Sequence, residues 1–146
     1  MDSILLTYKN TTIRQSDVNN LKDNCWLNDT CINFYYDYMS EGLGTDVLLV
    51  DPSASFLIVF ENDMEDLEPF LASLDFNSRK YVFFPVNNNT DQTIAGAGSH
   101  WTLLVLDNIS NMFYCYDSMG STPSSLANSE IIADKLRTVL KKEIGF

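Results

Sequence analysis

Apolar and polar positions alternate most clearly between residues 98 and 117, in the run GSHWTLLVLDNISNMFYCYD. Two stretches rich in β-branched, leucine and aromatic residues, 102–106 and 112–116, flank the polar Asp107-Asn108-Ile109-Ser110-Asn111. This pattern predicts an antiparallel hairpin. With residues 108–111 as its loop, Asp107 faces Met112 and Thr102 faces Asp117. His100 then lies diagonally from Asp117 on the same face, about 7–8 Å away, within reach of a long side chain. A register tighter by one pair sets the two directly opposite, and a slip of one residue sends them to different faces.

The rest of the chain reads as mixed helix and strand. Residues 4–8 suit a short strand or extended arm, 9–12 are polar, and Ser16 or Asp17 is placed to cap a helical turn over Val18 and Leu21. Cys25-Trp26-Leu27-Asn28-Asp29 leads into a helix reaching about residue 40, with Ile32, Tyr35, Tyr36 and Met39 at helical spacing. After an apolar run at 47–50, Asp51-Pro52 starts a helix over 53–60, although 56–60 fits a strand equally well. Met64, Leu67, Phe70 and Leu71 mark a second amphipathic helix over 62–73, with Pro69 late in it.

Residues 80–86 read as a strand whose end Pro85 assigns to an edge or a bulge. Residues 87–99 form a polar loop carrying Gly96-Ala97-Gly98, and no helix follows that would make it a phosphate cradle. A serine-rich loop at 118–125 precedes a helix capped by Asn128 or Ser129. That helix bears Ile132, Leu136, Val139 and Leu140 and closes at Lys141-Lys142 and Gly145. Strands cluster together with helices on either side, so the expected class is α+β.

Composition narrows the function. At 146 residues and 45% hydrophobic content the chain fits one domain with a real core, and residues 1–146 are read as a single unit. A formal net charge of -11 opposes a nucleic-acid binder, which needs a basic footprint. Cys25, Cys31 and Cys115 are odd in number and lack CxxC spacing, which suits a reducing cytoplasmic or nuclear setting and makes zinc improbable with one histidine. No cofactor is expected. No run has the length needed to span a bilayer, so a membrane role is not expected either.

The candidate chemistry lies at the open end of the hairpin. An aspartate that accepts a hydrogen bond from one imidazole nitrogen fixes the tautomer and leaves the other nitrogen free as a base. Taken alone, a lone histidine at a strand start is more often a satisfied polar residue. Trp26, taken alone, is more often core than a ligand clamp.

The motifs shift that balance. Leu6-Thr7-Tyr8, Arg14-Gln15-Ser16-Asp17-Val18, Trp26-Leu27-Asn28-Asp29, Tyr81-Val82-Phe83-Phe84, His100-Trp101-Thr102-Leu103-Leu104-Val105 and Tyr116-Asp117-Ser118 together resemble the ubiquitin-like protease family, the sentrin/SUMO-specific cysteine peptidases, and within it the deneddylase branch. The resemblance implies a papain-like fold and a thiol protease that cuts after a C-terminal Gly-Gly of a ubiquitin-like modifier, in precursors and in isopeptide conjugates. His100 corresponds to the base and Asp117 to its orienter. Trp26 and Trp101 correspond to the walls of a glycine-wide channel, and Asp29 to the residue that meets the modifier's tail. The implied partner is a modifier of the neddylation pathway ahead of SUMO or ubiquitin, and the implied complete enzyme is a monomer.

One departure qualifies this. In the family a glutamine of the oxyanion hole and an Asp-Cys-Gly bearing the nucleophile follow the helix that corresponds to residues 128–142. Neither occurs in these 146 residues. The chain is therefore expected to be C-terminally incomplete, to end before the nucleophile-bearing helix, and to be inert by itself, with Cys115 serving core packing. The alternative is a non-catalytic module that still grips a ubiquitin-like protein. A thiol acyltransferase is a third reading, which Trp-Leu-Asn-Asp disfavours.

Overall fold

The computed structural model describes residues 1–94 and 96–146. It divides into two compact units, Met1–Gly44 and Thr45–Phe146.

In the first unit, strands β1 (Ile4–Tyr8) and β2 (Thr11–Arg14) pair antiparallel about a two-residue turn. Lys9 takes the left-handed conformation in that turn, with φ 50°. The polar stretch that the hydropathy pattern leaves unassigned is thus a hairpin. Helix α1 (Gln15–Asn19) follows directly. Its cap differs from expectation, because Asp17 sits inside the helix and its Oδ2 reaches back to accept the Arg14 N–H at 2.8 Å. The other oxygen of Asp17 accepts from Asn28 Nδ2 at 2.8 Å, while Asn28 Oδ1 caps helix α2 (Asp29–Met39) through the Cys31 N–H at 3.0 Å. One buried carboxylate therefore joins the starts of both helices. Thr11 Oγ1 donates to Asp37 Oδ2 at 2.7 Å and holds α2 against the hairpin.

The second unit is built on a four-stranded sheet in the order β3-β4-β5-β6. Its strands are β3 (Val47–Leu49), β4 (Tyr81–Asn87), β5 (Trp101–Asp107) and β6 (Met112–Tyr116). Only β3 and β4 are parallel. Helix α3 (Pro52–Phe60) is capped by Asp51, α4 (Met64–Ser73) by Asp63, and α5 (Pro123–Leu140) by Thr122. The last is a correction. Thr122 supplies the cap with Pro123 in the first turn, so Asn128 and Ser129 lie buried within the helix instead of starting it.

Hydrogen bonding explains how Pro85 sits in a central strand. Even-numbered residues of β4 face β5 across the ladder, as Asn88 N–H to His100 O and Asn108 N–H to Lys80 O show at either end. Odd-numbered residues turn the other way, where Val50 N–H meets Phe83 O. On that side β3 stops at the Leu49 and Phe83 pair. Pro85 therefore lacks its N–H where no strand asks for one, which is the edge-like end its presence predicts.

One face of the sheet carries Val82, Phe84, Leu104, Leu106 and Phe113, all buried, against Ile132, Ala133 and Leu136 of α5. Lys135 fastens α5 to α3. Its ammonium donates to the carbonyls of Ile58, Val59 and Glu61 at 2.8, 3.0 and 2.6 Å, satisfying the end of a helix whose last carbonyls have no partner of their own.

Truncating the fully buried Phe84 to alanine is expected to cost about 3–5 kcal/mol of unfolding free energy. Urea melts of the two forms would check this, and a loss below about 1 kcal/mol would mean the sheet does not pack as described.

Candidate active site

The hairpin has the register that its apolar pattern predicts. Asp107 pairs with Met112 and Leu103 with Tyr116, which carries Thr102 opposite Asp117. Because β5 continues its ladder back to the Asn88 and His100 pair, the pleat sets His100 on the same face as Thr102 and diagonal to Asp117. The His100 ring closes that gap, and its Nε2 meets Asp117 Oδ1 at 2.6 Å. The imidazole is 14% exposed and the carboxylate is fully covered.

Asp117 is held as an anion. The Ser125 hydroxyl, the Met119 N–H at 2.9 Å and the His100 ring together bring its carboxyl down to about 2. Ser125 Oγ also donates to Thr122 O at 3.0 Å, so its effect on Asp117 is mainly that of a neighbouring dipole. Oδ1 takes both the Met119 and His100 contacts, and Oδ2 is buried with no hydrogen bond of good geometry among the described residues. An ionised carboxylate only accepts hydrogen bonds, so the neutral imidazole presents Nε2–H to it and keeps its lone pair on Nδ1. Nδ1 is the nitrogen left to take a proton.

The other predicted site residues fall as follows. Trp101 opens β5 and alternates to the face opposite His100. Trp26 lies in the first unit in the irregular segment before α2 and is 69% exposed, so the usual burial habit of tryptophan does not hold here. Asp29 is the exposed first residue of α2, and its Oδ1 accepts the Thr30 N–H at 2.9 Å.

Cys115 donates to Ser129 Oγ at 3.6 Å and packs against the core, as its strand position suggests. Burial, seconded by the Asp17 carboxylate, raises the Cys31 thiol, which donates to Asp17 O at 3.4 Å. Cys25 is exposed. Among the described residues no three His, Cys, Asp or Glu side chains gather as a metal site, and no helix is long and apolar enough to cross a membrane.

Sequence reasoning missed the residues that hold the loop before His100. Asn88 Oδ1 accepts the N–H groups of Ser99 and His100 at 2.8 and 3.0 Å. Asn128 Nδ2 reaches from α5 to the carbonyls of Asn87 and Asn89, both at 2.7 Å. A Cβ on Gly98 would stand 1.6 Å from Asn87 Oδ1, so a side chain there would have to displace the Asn87 amide. The predicted 87–99 loop is thus tied down on both flanks, while Ala95 lies outside the described residues. The run Asn87-Asn88-Asn89 was the available signal, and its contacts are too distant in sequence to infer.

Comparison with known proteins follows the same line. The model of the Ulp1 protease family, C-terminal catalytic domain, matches residues 25–144. The chain is 37% identical over 132 residues to the probable sentrin-specific protease 8 of Dictyostelium discoideum, covering 85% of this chain and 54% of that protein. Against human sentrin-specific protease 8 it is 32% identical over 147 residues, covering 98% and 68%. Against NEDD8-specific protease 1 of Arabidopsis thaliana it is 34% identical over 118 residues, covering 80% and 52%. The chain thus spans between 52% and 68% of the length of these relatives. The C-terminal Ulp1 protease domain in complex with Smt3, the yeast ortholog of SUMO, superposes with a TM-score of 0.72 at 21% identity, over 99% of this chain and 63% of that one, and so shares the fold. With a family match over residues 25–144 and the α+β fold in common, this chain belongs to the Ulp1 protease family.

Proposed function

We propose that these residues supply the base, its orienter and part of the substrate-binding surface of a cysteine peptidase that cleaves after the Gly-Gly end of a NEDD8-type modifier. The observation that carries the reading is the 2.6 Å contact between His100 Nε2 and a solvent-free Asp117 carboxylate. In this role Nδ1 of His100 takes the proton of a thiol nucleophile, and the resulting imidazolium is stabilised by Asp117. Trp26, Asp29 and Trp101 engage the modifier's tail. An exposed indole is costly to maintain and is the residue type that most often anchors a protein interface. The NEDD8-specific names of relatives support that modifier class ahead of SUMO.

A second reading draws on the cysteines. Cys115 is turned to Ser129 and packed on the core, and Cys31 belongs with Asp17 in the first unit. Neither is arranged as a nucleophile, and on this reading the 146 residues by themselves bind a modifier without cleaving it.

Both readings expect NEDD8 ending in Gly-Gly to bind this chain, and Trp26→Ala to weaken binding by about 30-fold, or ~2 kcal/mol. Calorimetric titration checks this, and equal affinity for the variant would remove Trp26 from the site. A NEDD8 probe carrying a thiol-reactive group at its terminus should leave Cys25, Cys31 and Cys115 unmodified by mass spectrometry. Labelling of Cys115 would overturn the assignment of that thiol to the core.

The ionised state of Asp117 also has a pH signature. Its folded-state value, about 2, lies below the ordinary carboxyl value of 3.8. The native state thus binds its proton less readily than the unfolded chain, so the stabilisation is present above pH 4 and is lost as pH falls towards 2. Melting temperatures measured from pH 6 to pH 2 should fall more steeply for the wild type than for Asp117→Asn. Parallel curves would show that the carboxylate is not specially stabilised in the fold.

A further inference from the structure

We infer that Asn88 and Asn128 are positioning residues for the His100 base, resting on the reading that His100 and Asp117 work as a pair. The β4–β5 ladder ends beside the imidazole. Asn88 and His100 are the last pair, and the Asn88 N–H donates to His100 O at 3.1 Å. An antiparallel hydrogen-bonded pair normally exchanges two main-chain bonds. Here the return bond from the His100 N–H goes to the side chain, Asn88 Oδ1, at 3.0 Å, and the same oxygen takes the Ser99 N–H at 2.8 Å. A side-chain carbonyl has replaced the main-chain one. The chain can therefore leave the sheet after Asn88 while the backbone of His100 stays registered against β4.

The main chain on either side of Asn88 is fixed by Asn128. Its Nδ2 spans the carbonyls of Asn87 and Asn89, and the residue is 6% exposed. Both of its amide hydrogens are used, so the contact fixes position and not merely proximity. Helix α5 begins four residues after Met119, whose N–H holds Asp117, and its Ser125 stands beside the carboxylate. One helix thus references both halves of the pair, the imidazole through Asn128 and the Asn87-Asn88-Asn89 corner, and the carboxylate through its first turn. A loop of this length ahead of a catalytic base would otherwise be free to drift, and a displacement of about 1 Å is enough to spoil such geometry.

The test uses the single histidine of the chain, which gives one unambiguous pair of imidazole nitrogen resonances. In the wild type, nitrogen-15 NMR should report the Nε2–H tautomer with a carboxylate partner. Asn88→Ala should lose that signature, giving the tautomer mixture of a free imidazole, while thermal melts show the fold retained. Asn88→Asp keeps the acceptor oxygen and should restore the signature. Asn128→Ala should lose it as well. If that variant fails to fold, the Asn88 pair decides the matter alone. Unchanged nitrogen shifts in Asn88→Ala, or equal loss in Asn88→Asp, would overturn the inference and leave the proposed function standing. Absence of the Nε2–H tautomer in the wild type would overturn both.

Discussion

A carboxylate with no solvent exposure is stable as an anion only when polar groups surround it, and those around Asp117 come from three separate places. The Met119 N–H is local, the Ser125 hydroxyl belongs to the first turn of α5, and the imidazole arrives from the neighbouring strand, 17 positions earlier. Each depends on a different part of the fold being in place: the turn after β6, the helix start, and the β5–β6 register. The contact between His100 and Asp117 is therefore an outcome of the whole second unit. It is also what distinguishes this histidine from the satisfied surface histidine that its sequence position alone would suggest.

The sheet makes that contact possible by dividing its two faces. Residues of even number on β4 and β5 fill the core with Val82, Phe84, Leu104 and Leu106, and the same parity brings Thr102 and His100 to the open end of that face. A shift by one residue would expose the core and separate the imidazole from its carboxylate in a single step. The apolar packing that stabilises the sheet thus also selects the register that builds the site. Trp101, of odd number, serves the opposite face, so the two adjacent residues of the His-Trp motif have different surroundings although they share a backbone.

What was legible in the sequence was local or periodic. The 102–116 hairpin, the Asp51-Pro52 helix start and the α4 stripe each announce themselves through alternation, capping or 3.6-residue spacing, and the structure has all three. β2 was hidden because Thr11-Thr12-Ile13-Arg14 is short and polar, and its partner β1 is largely exposed. The start of α5 was hidden because a serine-rich run suggests a loop, although Thr122-Pro123 carries both a cap and a first-turn proline. The contacts of Asn88 and Asn128 were not legible. Asn88 in its polar run looks like turn chemistry and Asn128 like a helix cap, and only coordinates show that the Asn128 amide bonds main chain 39 to 41 positions away.

Thiol placement separates Cys31 and Cys115 from the setting that a nucleophilic thiol needs. A nucleophilic cysteine is activated where positive charge or a helix start lowers its pKa and where the base can reach it. Cys31 has the opposite setting, raised by burial and by the Asp17 carboxylate. Cys115 lies on β6, two positions before Asp117, but its thiol donates to Ser129 on the buried face of α5. The sheet face that presents His100 thus pairs an imidazole through Nε2 with an anion, and the cysteine nearest in sequence is committed to packing. In the proposed role, an imidazolium formed at His100 would be matched by the Asp117 carboxylate, whose value is held down to about 2.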